Sequence, residues 1–183
     1  MHDTGSPARP VKPLRPPRGK LTLVFLGVIA IGLVVGTALS APDTKAGPMV
    51  GQIGPEVVAD LFDGGTFTLS EHLESDGRPV VLNLWASWCL ECRDEFPALS
   101  VFARSNPDIE VVGVAVNDTV EDARAFWTET GADFDVGFDA TGRLRTAYPG
   151  FGLPVTFILD ESGIVIHQID ATVSEELLAS LFR

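Results

Sequence analysis

With 183 residues, 45% of them apolar, the chain holds enough hydrophobic material for one core of ordinary domain size plus extensions. Its formal net charge of −12 is unevenly spread: Arg9, Lys12, Arg15, Arg18 and Lys20 against Asp3 leave residues 1–20 at +4, so residues 21–183 carry −16. An acidic globular part argues against nucleic acid or an anionic membrane surface as its partner, and two cysteines with three scattered histidines are too few, at the wrong spacing, for a Cys/His zinc site.

Residues 1–20 are rich in Pro, Arg and Lys and read as a disordered basic segment. Leu21 to Leu39 follows without a charge and is long enough for a helix to cross a bilayer. The basic residues ahead of it put residues 1–20 in the cytoplasm and everything after residue 39 outside, as a single-pass signal-anchor in the cell membrane. The alternative is a cleaved signal peptide ending at Ala38-Leu39-Ser40 and a secreted domain, but such peptides carry apolar stretches of roughly 7–15 residues and this one is longer. Gly32 and Gly36 have the spacing that lets two membrane helices approach closely. Residues 40–54, with Pro42, Gly47, Pro48, Gly51 and Gly54, read as a flexible linker, which leaves 55–183 as the folded domain.

Within the domain, Val57–Phe62 and Thr66–Leu69 flank Asp63-Gly64-Gly65 and predict a hairpin. Ser70 is placed to cap a short helix through Leu73. Val80-Val81-Leu82-Asn83-Leu84-Trp85 is a near-continuous apolar run, the mark of a strand buried on both faces. It leads through Ala86-Ser87-Trp88 to Cys89-Leu90-Glu91-Cys92, after which helix formers take over. A thiol at a helix start faces unpaired backbone N–H groups and the positive end of the dipole, which favour its thiolate. A second thiol three residues on is one turn away and can close a disulfide on the first. This is the chemistry of a dithiol redox centre. Arg93 stands where a c-type haem attachment site needs His.

The helix after Cys92 presents Phe96, Leu99 and Phe102 inward, with a kink expected at Pro97 because proline has no N–H to donate. Glu110–Val116 predicts another buried strand, and Thr119 with Asp122 a capped helix carrying Ala123, Phe126 and Trp127. Phe134–Phe138 reads as a short strand, Ala140–Tyr148 as a helical segment, and Pro154 as the residue immediately before a strand through Asp160. Glu161-Ser162-Gly163 turns the chain into Ile164–Ile169. Thr172–Arg183 closes it as an amphipathic helix with Leu177, Leu178, Leu181 and Phe182 inward. A hairpin, then β-α-β-α-β, then β-β-α implies an α/β domain: a mixed sheet with helices on both faces.

Three stretches, Leu82–Pro97 with its Trp88-Cys89-Leu90-Glu91-Cys92 and Glu-Phe-Pro, Gly152–Asp160, and the N-terminal hairpin, make the chain resemble the thioredoxin fold. More narrowly, it resembles the TlpA/ResA type of membrane-anchored thiol–disulfide oxidoreductase over roughly residues 50–183. That resemblance implies a thioredoxin-like fold with an extra N-terminal hairpin behind a single transmembrane helix. It makes Cys89 the attacking thiol and Cys92 the resolving one. It makes Pro154 a cis-proline beside the disulfide, and Glu95 a carboxylate acting on the acid–base behaviour of the pair. Trp88 is expected to lie against the site, and Pro149-Gly150 departs from the family pattern before Pro154. No cofactor is implied beyond the Cys89–Cys92 disulfide.

The implied partners are disulfides of exported proteins, apocytochrome c among them, and a membrane-embedded thiol carrier as electron donor. Glu91 between the cysteines opposes thiolate formation, which makes the centre a reductant. A thioredoxin-like peroxidase would need a Thr-x-x-Cys that is absent. A copper-delivering assembly factor would need Cys-x-x-x-Cys with a distant His, and His167 reads more simply as a partly exposed strand residue.

Overall fold

The computed structural model describes residues 47–183; the basic segment, the apolar stretch 21–39 and residues 40–46 of the expected linker lie outside the described residues. Among the described residues no helix is long and apolar enough to cross a membrane.

The elements follow the pattern of the apolar residues. Strands β1 (Val58–Leu61) and β2 (Thr66–Thr68) form an antiparallel hairpin with Ala59 opposite Phe67. Its turn uses Gly64 and Gly65, both at positive φ, where a side chain would strain the backbone. Helix α1 (Leu69–Ser75) follows directly. Ser70 is not its cap: Thr68 holds the N-cap position without a side-chain hydrogen bond, and the Ser70 N–H donates to Glu56 Oε1 at 3.1 Å. A carboxylate from before the hairpin thus satisfies an orphan donor of the first turn.

Strand β3 (Val80–Trp85) has all six residues buried and sits inside a seven-stranded sheet. Helix α2 (Leu90–Ser105), β4 (Glu110–Ala115), helix α3 (Val120–Thr130), β5 (Asp135–Phe138), helix α4 (Leu144–Ala147), β6 (Val155–Leu159), β7 (Val165–Ile169) and helix α5 (Glu175–Leu181) complete the order. The sheet runs β2-β1-β5-β4-β3-β6-β7, with β3–β4 and β4–β5 parallel and the other pairs antiparallel. This is the expected mixed, thioredoxin-like sheet with a hairpin added at one edge.

Alternation along β3 divides the interior. Val81 and Trp85 join Phe96, Leu99, Phe102, Phe126 and Leu178 from α2, α3 and α5 on one face. Val80, Leu82 and Leu84 join Val57, Phe67, Leu69, Leu144 and Tyr148 on the other. Full burial of such side chains contributes about 1.5–3 kcal/mol each. Trp85 stacks on Phe126 with ring centroids 4.7 Å apart and meets Phe96 edge-on at 5.1 Å, which fixes α2 and α3 against the strand that carries the redox loop.

Helix α2 runs through Pro97 to Ser105. Three local expectations change. The segment expected as a helix from Ala140 shrinks to Leu144–Ala147, because the Asp139 carboxylate takes the N–H groups of Thr141, Gly142 and Leu144 and holds residues 139–143 in a turn. His167 is buried, since β7 has covered positions on both sides. Residues 47–54 are part of the domain rather than of a linker: Met49 is buried, Gly51 donates to the Val165 carbonyl, and Val165 donates to Gln52. A Cβ on Gly54 would stand 2.5 Å from Leu159 and 2.8 Å from the Tyr148 hydroxyl, so this approach needs glycine.

Candidate active site

The site is built where β3 gives way to α2. The strand ends at Trp85, the Cys89 N–H bonds back to the Ala86 carbonyl at 3.1 Å, and Cys89 becomes the N-cap of the helix. Its Sγ accepts the N–H of Cys92 at 3.1 Å, doing the work an N-cap oxygen usually does. The two sulfurs are bonded, with the Cα atoms 5.3 Å apart. Cys92 is wholly buried and Cys89 is 4% exposed, so of the pair only Cys89 keeps any surface. Once reduced, a Cys89 thiolate faces the same N–H and the positive end of a 16-residue helix.

A second loop braces the first. Asp118, just past β4, accepts from the Ser87 N–H at 2.5 Å and from the Ser87 hydroxyl at 2.9 Å, while the Trp88 indole N–H donates to the Asn117 carbonyl at 3.1 Å. Asn117 has φ of +52°, a left-handed conformation that asparagine tolerates better than most residues. Trp88 is 62% exposed and Leu90, on the other side of Cys89, 75% exposed. The indole is thus largely exposed, with its N–H tied to the second loop.

Beneath the disulfide lies a polar line that crosses an otherwise apolar core. Glu95 is one turn beyond Cys92 on the same side of α2 and has no exposed surface. Its Oε1 accepts from Asn83 Nδ2 at 2.8 Å and its Oε2 from the Val173 N–H at 3.1 Å. Asn83 Nδ2 also donates to Thr156 Oγ1 at 3.0 Å, and the register sets Asn83 beside Thr156 on β6. Burial pushes the Glu95 carboxyl up to about 7, against the downward pull of the Asn83 and Val173 donors. A carboxyl so poised exchanges its proton near neutral pH.

The Leu153–Pro154 peptide bond is cis. Pro154 is buried, and because Leu84 pairs with Val155, it lies at the end of β3 from which the redox loop departs. Leu153 packs against the cluster that contains both cysteines. The fold thus brings Cys89, Cys92, Glu95 and Pro154 to one end of the central strands. Glu91 is exposed in the first turn of α2.

Sequence reasoning missed Asn83 and Asp118. Asn83 carried a signal: an amide in the middle of an apolar strand must find a buried partner. Asp118 carried no such signal, and only the crossing of two loops gives it Ser87.

Among the described residues, one group of side chains has the spacing of a metal site, His72, Asp76 and Glu110, and it does not include the cysteines. Arg78 already fills its middle, with Nη2 2.7 Å from Asp76 and 2.6 Å from Glu110. The guanidinium holds the Asp76 carboxyl below the usual carboxylate range.

The model of the AhpC/TSA family matches residues 50–168. The chain is 28% identical over 162 residues to the thiol:disulfide interchange protein HelX of Rhodobacter capsulatus, covering 85% of this chain and 90% of that one. It is 30% identical over 151 residues to the thiol:disulfide interchange protein DsbE of Escherichia coli K12, covering 79% and 80%. A crystal structure of a secreted Mycobacterium tuberculosis disulfide oxidoreductase homologous to E. coli DsbE superposes with a TM-score of 0.58 at 26% identity, over 68% of this chain and 92% of that one. A disulfide at a helix head, seated in a fold shared with proteins that exchange disulfides, leaves one assignment: the chain belongs to the AhpC/TSA family and is a thiol–disulfide oxidoreductase.

Proposed function

We propose that this oxidoreductase works outside the cytoplasm, tethered by residues 21–39, as a reductant of disulfides in exported proteins, with apocytochrome c as the intended class of target. The observation that carries the reading is the oxidisable pair at the head of α2 with a buried carboxyl one turn behind it. Reduced Cys89, as thiolate, attacks one sulfur of the target disulfide. A mixed disulfide forms and the other target sulfur leaves as a thiolate that takes up a proton. Cys92 then loses its proton and attacks the Cys89 sulfur. The second target thiol is released and the Cys89–Cys92 bond closes. Two electrons pass from the dithiol to the target.

Glu95 is the group within the helix to take the Cys92 proton, since its ionised and neutral forms are close in energy near pH 7. Pro154 and the backbone before it form the wall along which the target chain lies. Glu91 disfavours the Cys89 thiolate and so biases the couple toward reduction of targets. A membrane-embedded thiol carrier restores the dithiol.

The test is to trap targets on full-length protein with Cys92→Ser, which stalls the reaction at the mixed disulfide on Cys89. Recovery of apocytochromes supports the maturation role, whereas a broad set of exported proteins points to general reduction. A measured reduction potential near the roughly −120 mV of strong disulfide-introducing oxidases would overturn the reducing direction.

A further inference from the structure

The loop leading into Pro154 is held far more tightly than its surface position requires. Arg145 donates through Nη2 to the carbonyls of Gly150 at 2.7 Å and Gly152 at 3.4 Å. The Phe151 N–H donates to Asp170 Oδ1 at 2.7 Å. Gln168 donates through Nε2 to the Pro149 carbonyl at 2.9 Å and to Asp170 Oδ2 at 3.0 Å, and its Oε1 accepts the Met49 N–H at 3.2 Å. A Cβ on Gly150 would stand 2.5 Å from Asp170 Oδ1, so glycine is what admits the carboxylate there. At the tip of this fixed backbone the Phe151 ring is 97% exposed.

A single exposed apolar residue is ordinary. Here two further facts accompany it. The ring borders an apolar recess of about 150 Å³, lined by Pro48, Pro149, Gly150, Phe151 and Gln168. The same loop continues through Leu153, packed on the cysteine cluster, into Pro154. A target chain whose cysteine meets Cys89 has its neighbouring residues carried along this loop. The recess therefore sits on the loop that leads into Pro154, and its wall is preorganised, which lowers the ordering cost of binding. Its lining offers no free cation, because the Arg145 guanidinium is spent on carbonyls of the loop.

We propose that Phe151 and the recess beside it form a side-chain subsite of the oxidoreductase, which selects target polypeptides bearing an aliphatic or aromatic residue close in sequence to the attacked cysteine. An exposed aromatic on a rigid loop is the kind of group that dominates such contacts. The inference rests on the disulfide-exchange reading and deepens it by naming the substrate feature that is recognised.

The test uses the full-length protein and two disulfide-linked peptides that differ only in Leu or Ser beside the target cysteine. Wild-type protein should favour the Leu peptide about tenfold in kcat/KM, the value expected for partial burial of one such side chain. Phe151→Ser should bring that ratio close to one, through KM, and Phe151→Leu should keep most of it. Because the ring is exposed, neither change removes core packing. A wild-type ratio near one, or a ratio that survives Phe151→Ser, would overturn the subsite. Failure of the wild type to reduce either peptide would overturn the exchange reading itself, and the two failures are distinct.

Discussion

The two faces of β3 do different work. On one, Val80, Leu82 and Leu84 join a hydrophobic cluster, and no polar side chain stands between them on that face of the strand. On the other, Val81 and Trp85 are separated by Asn83, which reaches Glu95 and Thr156 under the disulfide. The first face is built for burial alone. The second gives up apolar contact at its centre to hold a carboxyl that is costly to ionise. The difference marks the row that holds the proposed proton acceptor: the one where alternation along a buried strand is broken by an amide with partners.

The contrast is broken most severely from the apolar side. Leu82→Ala should cost about 2–5 kcal/mol in denaturant unfolding, the range for a buried leucine that leaves a cavity, while turnover per folded molecule stays unchanged. A loss of turnover without a loss of stability would mean that the two faces are not separate in function.

Glu95→Gln tests the polar face and its pH dependence. Folding raises this carboxyl from 4.5 to about 7, so the folded state holds the proton more tightly than the unfolded chain does. Stability contributed by the protonated form is complete below pH 4.5, falls as pH rises toward 7, and levels off above it. The glutamine variant should therefore lose this pH slope and gain up to about 3 kcal/mol relative to wild type at alkaline pH. It should also slow resolution of the mixed disulfide. Unfolding curves across pH and rapid-quench assays of the trapped intermediate check the two parts separately.

Asp118→Ala should cost about 1–2 kcal/mol, since it leaves the Ser87 N–H and hydroxyl without their partner, and it should raise KM for a protein substrate by loosening the redox loop. Steady-state kinetics with a reducible protein read this directly. The smallest effect is expected at Glu91, exposed in the first turn of α2. Glu91→Lys should favour the Cys89 thiolate by about 0.3–1 kcal/mol, seen as a higher thiolate absorbance at fixed pH and a less negative reduction potential. A shift of opposite sign would show that the helix head does not govern the cysteine.

Much of this molecule can be read from residue order. The run Val80–Trp85, the cysteine pair and the helix formers after it define a strand, a loop and a helix start, because burial on both faces and a thiol at an N-cap impose those residue types locally. The Thr119 cap and the closing hairpin are equally local, and the structure has both. Glu95 could be nominated by resemblance but not characterised. Whether a glutamate on a helix is solvated or buried depends on which turn faces the sheet; its shift toward neutrality comes from that burial, and the donors that oppose it, Asn83 on another strand and Val173 beyond β7, are brought there only by the fold. The helix expected from Ala140 was shortened by the Asp139 turn, and residues 47–54 left the linker because their partners lie more than 100 positions away in the chain.

The sequence by itself determined the redox pair, the order of strands and helices, and the acidity of the domain, since each depends on neighbours within a few residues. Only the tertiary structure decided that Asp118 grips Ser87, that Arg145, Gln168 and Asp170 hold the loop of Phe151, and that the carboxyl of Glu95 is buried. These depend on side chains from separate strands and loops converging at the ends of β3 and β6. Local propensity carries no record of such convergence, because the desolvation and hydrogen bonds that create it exist only once the sheet has closed.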